Sequence, residues 1–363
     1  MPAVPSNLKE EIRAAGLAAG LDVVRVGAAE PFDSTKADIE QRRNAGLNGG
    51  MAFTYRNPER STTPDRALPG ARSLVVGARA YSAHVPETPH ARPRGRVCRS
   101  AAQDEYAELR RSLGVIADLL REAGFRTRVV ADDNALVDRA AAFRAGIGWW
   151  GKNTLIILPG KGSWFVLGSV ITDAALEPDA GPEPDHCGTC SRCLPACPTG
   201  ALVAPGVLDA RRCLAWVLEA PGPIPVELRR AVGDRVYGCD ECQVVCPPNR
   251  AADMRRARTS GRVSAGAAAE EVEAARPDLV QMVVASDGEL MARFGHFYLA
   301  GRNPDLLRRN ALVALGNVGR GDDPEVERAL TVSLAGSSEL LKEHAAWAAT
   351  ELGREDLLVG APA

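Results

Sequence analysis

Eight of the nine cysteines of this 363-residue chain belong to one pattern, and that pattern limits its chemistry. Seven of them form two dense runs, and Cys213 lies between the runs. The runs are Cys187-Gly-Thr-Cys190-Ser-Arg-Cys193-Leu-Pro-Ala-Cys197-Pro and Cys239-Asp-Glu-Cys242-Gln-Val-Val-Cys246-Pro. The first has the spacing with which bacterial ferredoxins ligate iron–sulfur clusters, and the second has the spacing of the last three such ligands. The pattern predicts a redox protein that moves electrons one at a time.

The eight cysteines divide evenly between two clusters. In two-cluster ferredoxins the fourth cysteine of a run crosses to the other cluster. On this rule cluster one takes Cys187, Cys190, Cys193 and Cys246, and cluster two takes Cys197, Cys213, Cys239 and Cys242. Two zinc sites are the alternative, but zinc needs neither the third cysteine of the run nor the proline after the fourth. The ninth cysteine, Cys98, is interpreted as a buried or incidental thiol.

The bulk composition is that of an ordinary globular protein, with 45% hydrophobic and 25% charged residues. The net charge of −2 excludes a global field that would recruit nucleic acid, so any site for a polyanion must be a local patch. The sequence shows no secretory leader and no long apolar run, which predicts a cytoplasmic protein without a membrane partner. Crowded thiols in that compartment are typical of metal ligands and not of disulfides.

Patterning along the chain predicts three domains, at 1–178, 179–255 and 256–363. Residues 1–175 alternate between helical and extended patterns, with a helix at 104–123 and strands near 23–26, 74–78, 129–130, 155–158 and 164–171. This alternation favours an α/β layer structure. A Pro/Asp/Gly-rich stretch at 177–185 marks a boundary. Beyond 264 the pattern is helical, and 307–314 resembles 341–348 at a 34-residue period that is typical of HEAT or armadillo pairs.

Longer stretches around and before the cysteines carry a family resemblance. They are His186-Cys-Gly-Thr-Cys-Ser-Arg-Cys-Leu-Pro-Ala-Cys-Pro-Thr-Gly-Ala-Leu, Leu208-Asp-Ala-Arg-Arg-Cys213, Tyr237-Gly-Cys-Asp-Glu-Cys-Gln-Val-Val-Cys-Pro, Ala145-Gly-Ile-Gly-Trp-Trp-Gly-Lys-Asn, Gly162-Ser-Trp-Phe-Val-Leu-Gly-Ser and Tyr55-Arg-Asn-Pro-Glu-Arg-Ser. In order and spacing the chain resembles the epoxyqueuosine reductases, the cobalamin- and iron–sulfur-dependent enzymes of tRNA queuosine synthesis. Together with the C-terminal repeat, the resemblance covers nearly the whole chain.

The resemblance implies a multidomain fold of the α+β or α/β class. An N-terminal α/β domain would bind base-off cobalamin, a ferredoxin-like domain would hold two 4Fe-4S clusters, and HEAT-like repeats would form the tail. The implied reaction is the reduction of epoxyqueuosine to queuosine in tRNA, the last step of queuosine biosynthesis. An external low-potential donor such as ferredoxin or flavodoxin would feed the clusters, which reduce the cobalt. The protein is expected to be a monomer.

The resemblance also implies roles for individual residues. Asp132 is expected to give a proton to the departing epoxide oxygen, because burial near the corrin would hold it protonated, and the adjacent Asp133 is its rival. The alternative for Asp132 is an aspartate that only caps a turn. Contacts to cobalamin are expected from Arg56, Lys152, Ile156, Ser163 and Leu167. For Arg56 the alternative is a solvated surface residue, and for Ile156 and Leu167 it is ordinary sheet core.

Two local patches offer basic groups to tRNA phosphates. Residues 89–99 contain four arginines and no acid, and residues 250–262 contain five arginines against Asp253. Arg308, Arg309 and Lys342 add to the second patch. Arginine-rich loops suit phosphate contacts, which supply most of the nonspecific affinity of a protein for nucleic acid. The alternative is a solvated basic surface whose charge is balanced by acids elsewhere.

Several positions depart from the family pattern. Tyr106 stands where the family has His, Trp216-Val-Leu-Glu219 is one residue shorter than its counterpart, Asp132-Asp-Asn-Ala135 replaces Asp-Ser/Thr-Ala-Pro, and Pro248 replaces a Trp. These changes surround the expected substrate pocket and spare the cluster ligands. Two other functions therefore stay open, a cobalamin-dependent reductase of a substrate other than tRNA and an iron–sulfur electron-transfer protein.

Overall fold

A computed structural model describes residues 3–81, 92–259 and 272–359 of the chain. The elements of its first half are α1 (Leu8–Ala18), β1 (Val23–Ala28), α2 (Asp33–Asn44), α3 (Pro58–Thr62), α4 (Pro64–Ala67), β2 (Ser73–Ala80), β3 (Arg96–Val97), α5 (Glu105–Glu122), β4 (Thr127–Val130), α6 (Asp138–Arg144), β5 (Trp149–Trp150), β6 (Ile156–Ile157) and β7 (Phe165–Thr172). Strands β1, β2, β7 and β4 form one sheet in that order. The predicted strands are all present, and helices lie on both faces of the sheet.

The direction of the strands corrects one expectation. Every neighbouring pair in the four-stranded sheet is antiparallel, with Val26 opposite Val75 and Val75 opposite Val170. The first half is therefore of the α+β class, and its description as α/β was wrong. Hydrophobic periodicity shows that a segment is extended, but it does not specify the direction of the neighbouring strand.

Helix α5 packs on one face of the sheet because its apolar residues recur at spacings of three and four. The residues on this stripe are fully buried, and they are Leu109, Leu113, Ile116 and Leu120. The side chain of Asp104 accepts a hydrogen bond from the Ala107 N–H at 3.0 Å and starts the helix. Gly124, with φ of +86°, ends it. The predicted helix is thus confirmed, and the short helix α6 covers the other face of the sheet.

The cysteine region folds into short elements. They are α7 (Cys193–Ala196), β8 (Leu202–Ala204), β9 (Val207–Leu208), α8 (Leu214–Glu219), α9 (Val226–Val232), β10 (Arg235–Tyr237), α10 (Glu241–Val244) and α11 (Pro247–Thr259). Strand β10 pairs in parallel with β3, which ties the first half of the chain to the segment that leads into Cys239. The expected boundary between 255 and 256 falls inside α11.

The tail is helical, as the composition beyond 264 predicted. Its helices are α12 (Leu279–Val284), α13 (Asp287–Phe294), α14 (Asp305–Val318), α15 (Pro324–Ala335) and α16 (Glu339–Glu351). The two similar stretches, 307–314 and 341–348, lie on α14 and α16. These helices pack closely at Gly316, where a Cβ would lie 2.9 Å from the Cα of Ala348. Among the described residues, no helix combines the length and the apolar character needed to cross a membrane.

The position of Arg309 corrects the prediction that this residue belongs to a basic patch. Its side chain is fully buried between α8 and α14, so it is not available to tRNA. The guanidinium donates to the carbonyl oxygens of Leu218 at 2.9 Å and Ala220 at 2.8 Å. Burial lowers the pKa of Arg309 to about 10, and the carbonyl groups at the end of α8 offset part of the cost because they carry partial negative charge. Arg309 therefore joins the tail to the cysteine region.

His344 makes a second buried junction, between α16 and the segment before α9. The Ile224 N–H donates to Nε2 of His344 at 3.0 Å, and Nδ1 lies 2.7 Å from the Leu340 carbonyl oxygen. A ring that accepts at Nε2 carries its proton on Nδ1 and is neutral. Burial lowers the pKa of His344 to about 4, so the junction requires the uncharged ring.

We expect the substitution His344→Gln to make the protein less sensitive to acid. Because the folded-state pKa of about 4 lies below the ordinary 6.5, the unfolded chain takes up a proton as the pH falls through 6.5 and the folded protein does not. The wild type should therefore lose about 2 kcal/mol of unfolding free energy through this group between about pH 7 and pH 5. Thermal unfolding at both pH values measures the effect, with the exposed His296→Gln as control. Equal pH responses of wild type and His344→Gln would contradict this role.

Candidate functional site

The four cysteines assigned to cluster one line one small cavity. Cys187, Cys190 and Cys193 come from the loop that enters α7, and Cys246 follows α10. Burial raises the pKa of the Cys246 thiol to about 11, and the nearby thiols of Cys187, Cys193 and Cys190 raise it further. The fold thus gathers both cysteine runs at one point.

The remaining four cysteines form a second group. Burial raises the pKa of the Cys213 thiol to about 11, with further contributions from Cys239 and Cys197. Burial also raises the pKa of Cys242, and the charges of Cys239, Cys213 and Cys197 add to the effect. The Ala201 N–H donates to the sulfur of Cys197 at 3.2 Å. Cysteines of both runs therefore meet again, with Cys213 as the outlying member.

The number and the type of donors in each group suit a cluster. Each group supplies four thiols, and a 4Fe-4S cluster is held by four cysteine thiolates, one at each iron. The donor set therefore fits two iron–sulfur clusters.

Asp132 lies between β4 and α6 in an uncommon backbone conformation. Its φ is +53°, in the left-handed region, and its N–H donates to Oδ2 of Asp138 at 3.0 Å. The carboxyl is open to solvent on one side and crowded by protein on the others. This partial burial raises its pKa, against the opposing charges of Arg110 and Arg139. Such a carboxyl keeps its proton to a higher pH than a free one, as a general acid requires.

The rival Asp133 has a structural use. Its Oδ1 accepts a hydrogen bond from the Ala135 N–H at 2.8 Å, which closes a turn. Its Oδ2 lies 3.7 Å from a guanidinium nitrogen of Arg128. The turn-capping role that was the alternative for Asp132 is therefore carried by Asp133.

The start of α6 also holds a second strained turn. Arg139, the neighbour of Asp138, donates to the carbonyl oxygen of Thr154 at 3.4 Å. Thr154 has φ of +68°, which is costly for a β-branched residue. In the same turn, the Asn153 side chain donates to the Cys242 carbonyl oxygen at 3.4 Å. The start of α6 thus contacts both the loop that carries Asp132 and the 152–154 turn. That turn contacts Cys242 of the second cysteine run.

Three of the five residues expected at cobalamin are at least partly accessible to solvent. Arg56 is exposed, and within the described part of the chain its side chain makes no hydrogen bond or ion pair. Lys152 is half-buried and donates to the Gly188 carbonyl oxygen at 2.6 Å, beside the cavity of cluster one. Leu167 is half-buried on β7 and packs against the core on the α6 face of the sheet. A cationic group, a lysine beside the clusters and an apolar side chain are therefore available to a large ligand.

The other two are engaged inside the protein. Ile156 is buried in the core on the α6 face of the sheet. Ser163 is buried, and its hydroxyl donates to Gln243 at 3.0 Å while its N–H donates to Oδ1 of Asn249 at 2.5 Å. Their side chains therefore support the neighbouring segments.

Several known proteins are similar to this chain in sequence. The family described as a 4Fe-4S double cluster binding domain matches residues 186–249. The epoxyqueuosine reductase of Bacillus subtilis (strain 168) is 36% identical over 317 residues, which cover 86% of this chain and 79% of that protein. The chain belongs to the epoxyqueuosine reductase family.

Solved structures of the family share the fold. A crystal structure of epoxyqueuosine reductase with an epoxyqueuosine-modified tRNA-Tyr stem loop has a TM-score of 0.86 at 34% identity, covering 98% of this chain and 93% of that one. A structure of the Bacillus subtilis enzyme, whose catalytic aspartate loop is swung out of the active site, has a TM-score of 0.84 at 34% identity, covering 98% and 94%. This chain therefore has the family's fold along nearly its whole length.

Tyr106, which replaces the family's His, was not predicted as a site residue. It lies on α5 one turn before Arg110, whose guanidinium carbon is 5.7 Å from the centre of the Tyr106 ring. Burial raises the pKa of Tyr106, and the charges of Asp132 and Asp138 raise it further, so the phenol lies near both carboxyl groups. The signal in the sequence was its departure from the family motif.

Glu219 was also missed. It is the last residue of α8, and burial raises its pKa to about 8, with a further contribution from the charge of Asp132 and an opposing one from its hydrogen bond with Tyr237. The Tyr237 hydroxyl in turn accepts a hydrogen bond from the Tyr298 N–H at 2.8 Å. In the sequence, Glu219 stood out only as the end of the shortened stretch 216–219, because α8 and the Asp132 loop meet only in the folded protein.

Acidic residues pair with the arginines of the first predicted basic patch. Residues 89–91 and 260–262 lie outside the described residues. The arginines of 92–99 each contact a carboxylate, in the pairs Arg92–Asp278, Arg94–Glu273, Arg96–Asp234 and Arg99–Asp253. Near the second patch, Arg308 pairs with Asp287 and Lys342 with Glu339. These contacts support the alternative in which acids balance the basic residues.

We expect Cys190→Ser to remove cluster one and to leave cluster two. Iron should fall from about eight to about four atoms per chain, because each four-iron cluster depends on its own four thiolates. Cys98→Ser is the matched control and should keep about eight. Iron and sulfide analysis of anaerobically purified protein measures this. Unchanged iron in Cys190→Ser would contradict the assignment.

We expect Glu219→Gln to stabilise the protein at alkaline pH. The pKa of about 8 lies above the ordinary 4.5, so the folded protein keeps a proton that the unfolded chain releases above pH 4.5. Stability is therefore lost as the pH rises towards 8, and a neutral Gln avoids that loss. The melting-temperature difference between variant and wild type should grow between about pH 5 and pH 8 and then level off. A difference that does not change with pH would exclude this role.

Proposed function

We propose that this protein reduces epoxyqueuosine in tRNA to queuosine, the last step of queuosine biosynthesis. The observation that carries the proposal is the position of Asp132. Its carboxyl is open to solvent and has a raised pKa. The loop that carries Asp132 contacts the start of α6, and the 152–154 turn beside the clusters contacts the same helix start. Relatives named epoxyqueuosine reductase, one of them solved with an epoxyqueuosine-modified stem loop, support this substrate.

The reaction consumes two electrons and two protons, forms a carbon–carbon double bond and releases the epoxide oxygen as water. The departing oxygen must be protonated, since an alkoxide leaves poorly at neutral pH. Asp132 is the proposed donor, because Asp133 is engaged in its turn and in the contact with Arg128. Tyr106 and Glu219 lie near Asp132, and their polar groups are available to orient the substrate.

Cobalamin is the proposed cofactor, in line with the family resemblance. Arg56, Lys152 and Leu167 would hold it beside Asp132, and Ile156 and Ser163 would keep the flanking backbone in place. When bound, it supplies a cobalt centre that accepts electrons from the clusters and passes them to the substrate. The exposed Arg56 guanidinium suits a propionamide or phosphate oxygen of the cofactor.

An external low-potential donor such as ferredoxin or flavodoxin is proposed to supply electrons to the clusters. Cluster one would be bound by Cys187, Cys190, Cys193 and Cys246, and cluster two by Cys197, Cys213, Cys239 and Cys242. We further propose that the protein acts in the cytoplasm as a monomer, with functional units at 1–178, 179–255 and 256–363 and a HEAT-like tail.

The substitution Asp132→Asn should abolish most turnover and leave the cofactors bound. An amide of nearly the same shape cannot give up a proton, so we expect conversion of epoxyqueuosine to fall at least about 100-fold. The assay uses anaerobically reconstituted protein with both clusters and cobalamin, dithionite as the reductant and epoxyqueuosine-containing tRNA as the substrate. Mass spectrometry of the tRNA nucleosides measures the product, and iron content and corrin absorbance report the cofactors.

Asp133→Asn is the matched control and should stay within about threefold of the wild type, because an amide oxygen can close the same turn. Unchanged turnover in Asp132→Asn would exclude Asp132 as the donor. Wild-type protein that retains its corrin spectrum but leaves epoxyqueuosine intact would instead point to a reductase of another substrate. Purification without any corrin absorbance, after growth with cobalamin, would favour a pure electron-transfer protein.

A further inference from the structure

The loop that carries Asp132 is anchored on both sides of that residue. The side chain of Arg110 donates to the Ala131 carbonyl oxygen at 2.9 Å. The hydroxyl of Ser61 donates to the Asn134 carbonyl oxygen at 2.7 Å. These contacts fix where the loop begins and ends, but they leave the backbone of Asp132 itself to be set by another group.

That group is Asp138. Its Oδ2 accepts the hydrogen bond from the Asp132 N–H at 3.0 Å, and within the described residues no other side chain binds the Asp132 backbone. Because Asp132 has φ of +53°, it would relax towards an ordinary conformation without an opposing contact. Rotation of this backbone would also turn the Asp132 carboxyl away from its present direction.

The surroundings of Asp138 favour its hydrogen bond with the Asp132 N–H. Its Oδ1 is buried and has no hydrogen-bond partner within the described residues, so the carboxyl has no competing contact there. Burial raises the pKa of Asp138 and outweighs the hydrogen bond from the Asp132 N–H, which lowers it, so the neutral acid is favoured. A neutral carboxyl still accepts through its carbonyl oxygen, so an amide at this position can replace it.

We propose that Asp138 is a positioning residue that holds Asp132 in its left-handed conformation and directs the Asp132 carboxyl into the site. The inference rests on the proposed role of Asp132 as proton donor. Asp138 does not touch the substrate, and its effect is transmitted through one hydrogen bond to the backbone. The requirement is for an acceptor at this position and not for a charge.

The experiment compares Asp138→Ala, which removes the acceptor, with Asp138→Asn, which keeps it. Asp33→Ala is the matched control, because Asp33 is likewise the first residue of a helix, α2, but is exposed. Hydrogen–deuterium exchange of the 131–136 segment and the kcat and KM for epoxyqueuosine-containing tRNA are measured on the reconstituted full-length enzyme. If Asp138→Ala does not fold, Asp138→Ser takes its place, since its hydroxyl is too short to reach Asp132.

For Asp138→Ala we expect exchange in 131–136 to rise about tenfold and kcat to fall about 10- to 100-fold, with KM within about threefold. Asp138→Asn should stay within about threefold of the wild type in both readouts, and Asp33→Ala should match the wild type. Unchanged exchange in Asp138→Ala, or equal losses in Asp138→Asn and Asp138→Ala, would overturn the proposal. If the wild type converts no epoxyqueuosine, the proposed function fails, while the exchange comparison still decides whether Asp138 holds the loop.

Discussion

A buried side-chain amide, Asn249, joins the antiparallel sheet to the cysteine-bearing segments. Its Oδ1 accepts the Ser163 N–H at 2.5 Å, and its Nδ2 donates to the Gln243 carbonyl oxygen at 2.9 Å. Gly162, with φ of +78°, lets the chain pass so close that a Cβ there would collide with Asn249. Because all of these polar groups are buried, breaking one contact would leave the others unsatisfied at considerable cost. The contact therefore attaches the cysteine-bearing segments to the loop that leads into β7.

The start of α6 holds two strained turns of the candidate site. Asp138 binds the backbone of Asp132, and Arg139 binds the backbone of Thr154. Both bound residues have left-handed conformations, and strain of this kind persists only where the surroundings enforce it. One turn carries Asp132, the proposed proton donor, and the other contacts the second cysteine run. A seven-residue helix thus connects the proposed donor to the segment beside the clusters.

How much the sequence predicted depended on the range of the interactions involved. The spacing of Leu109, Leu113, Ile116 and Leu120 predicted α5 correctly, because a helix sets its own period. The strands were located, but their antiparallel pairing was not, because pairing is decided between distant segments. Arg309 shows the same limit, since it was placed on a basic surface and is buried at the end of α8. Tyr106 and Glu219 stood out only as departures from the family pattern and were given no role, because neither is adjacent to Asp132 in the chain.

The sequence by itself determined the chemistry of electron transfer and the family. Ligand spacing within a short run is a local property, so the cysteines of 187–246 identify iron–sulfur binding before any fold is known. Only the tertiary structure decided which groups surround Asp132 and which arginines of 92–99 are already paired with acids. The physical reason is that pKa values and ion pairs depend on burial and on charges brought together across the chain. Those surroundings arise only when the sheet, the cysteine region and the tail pack against one another.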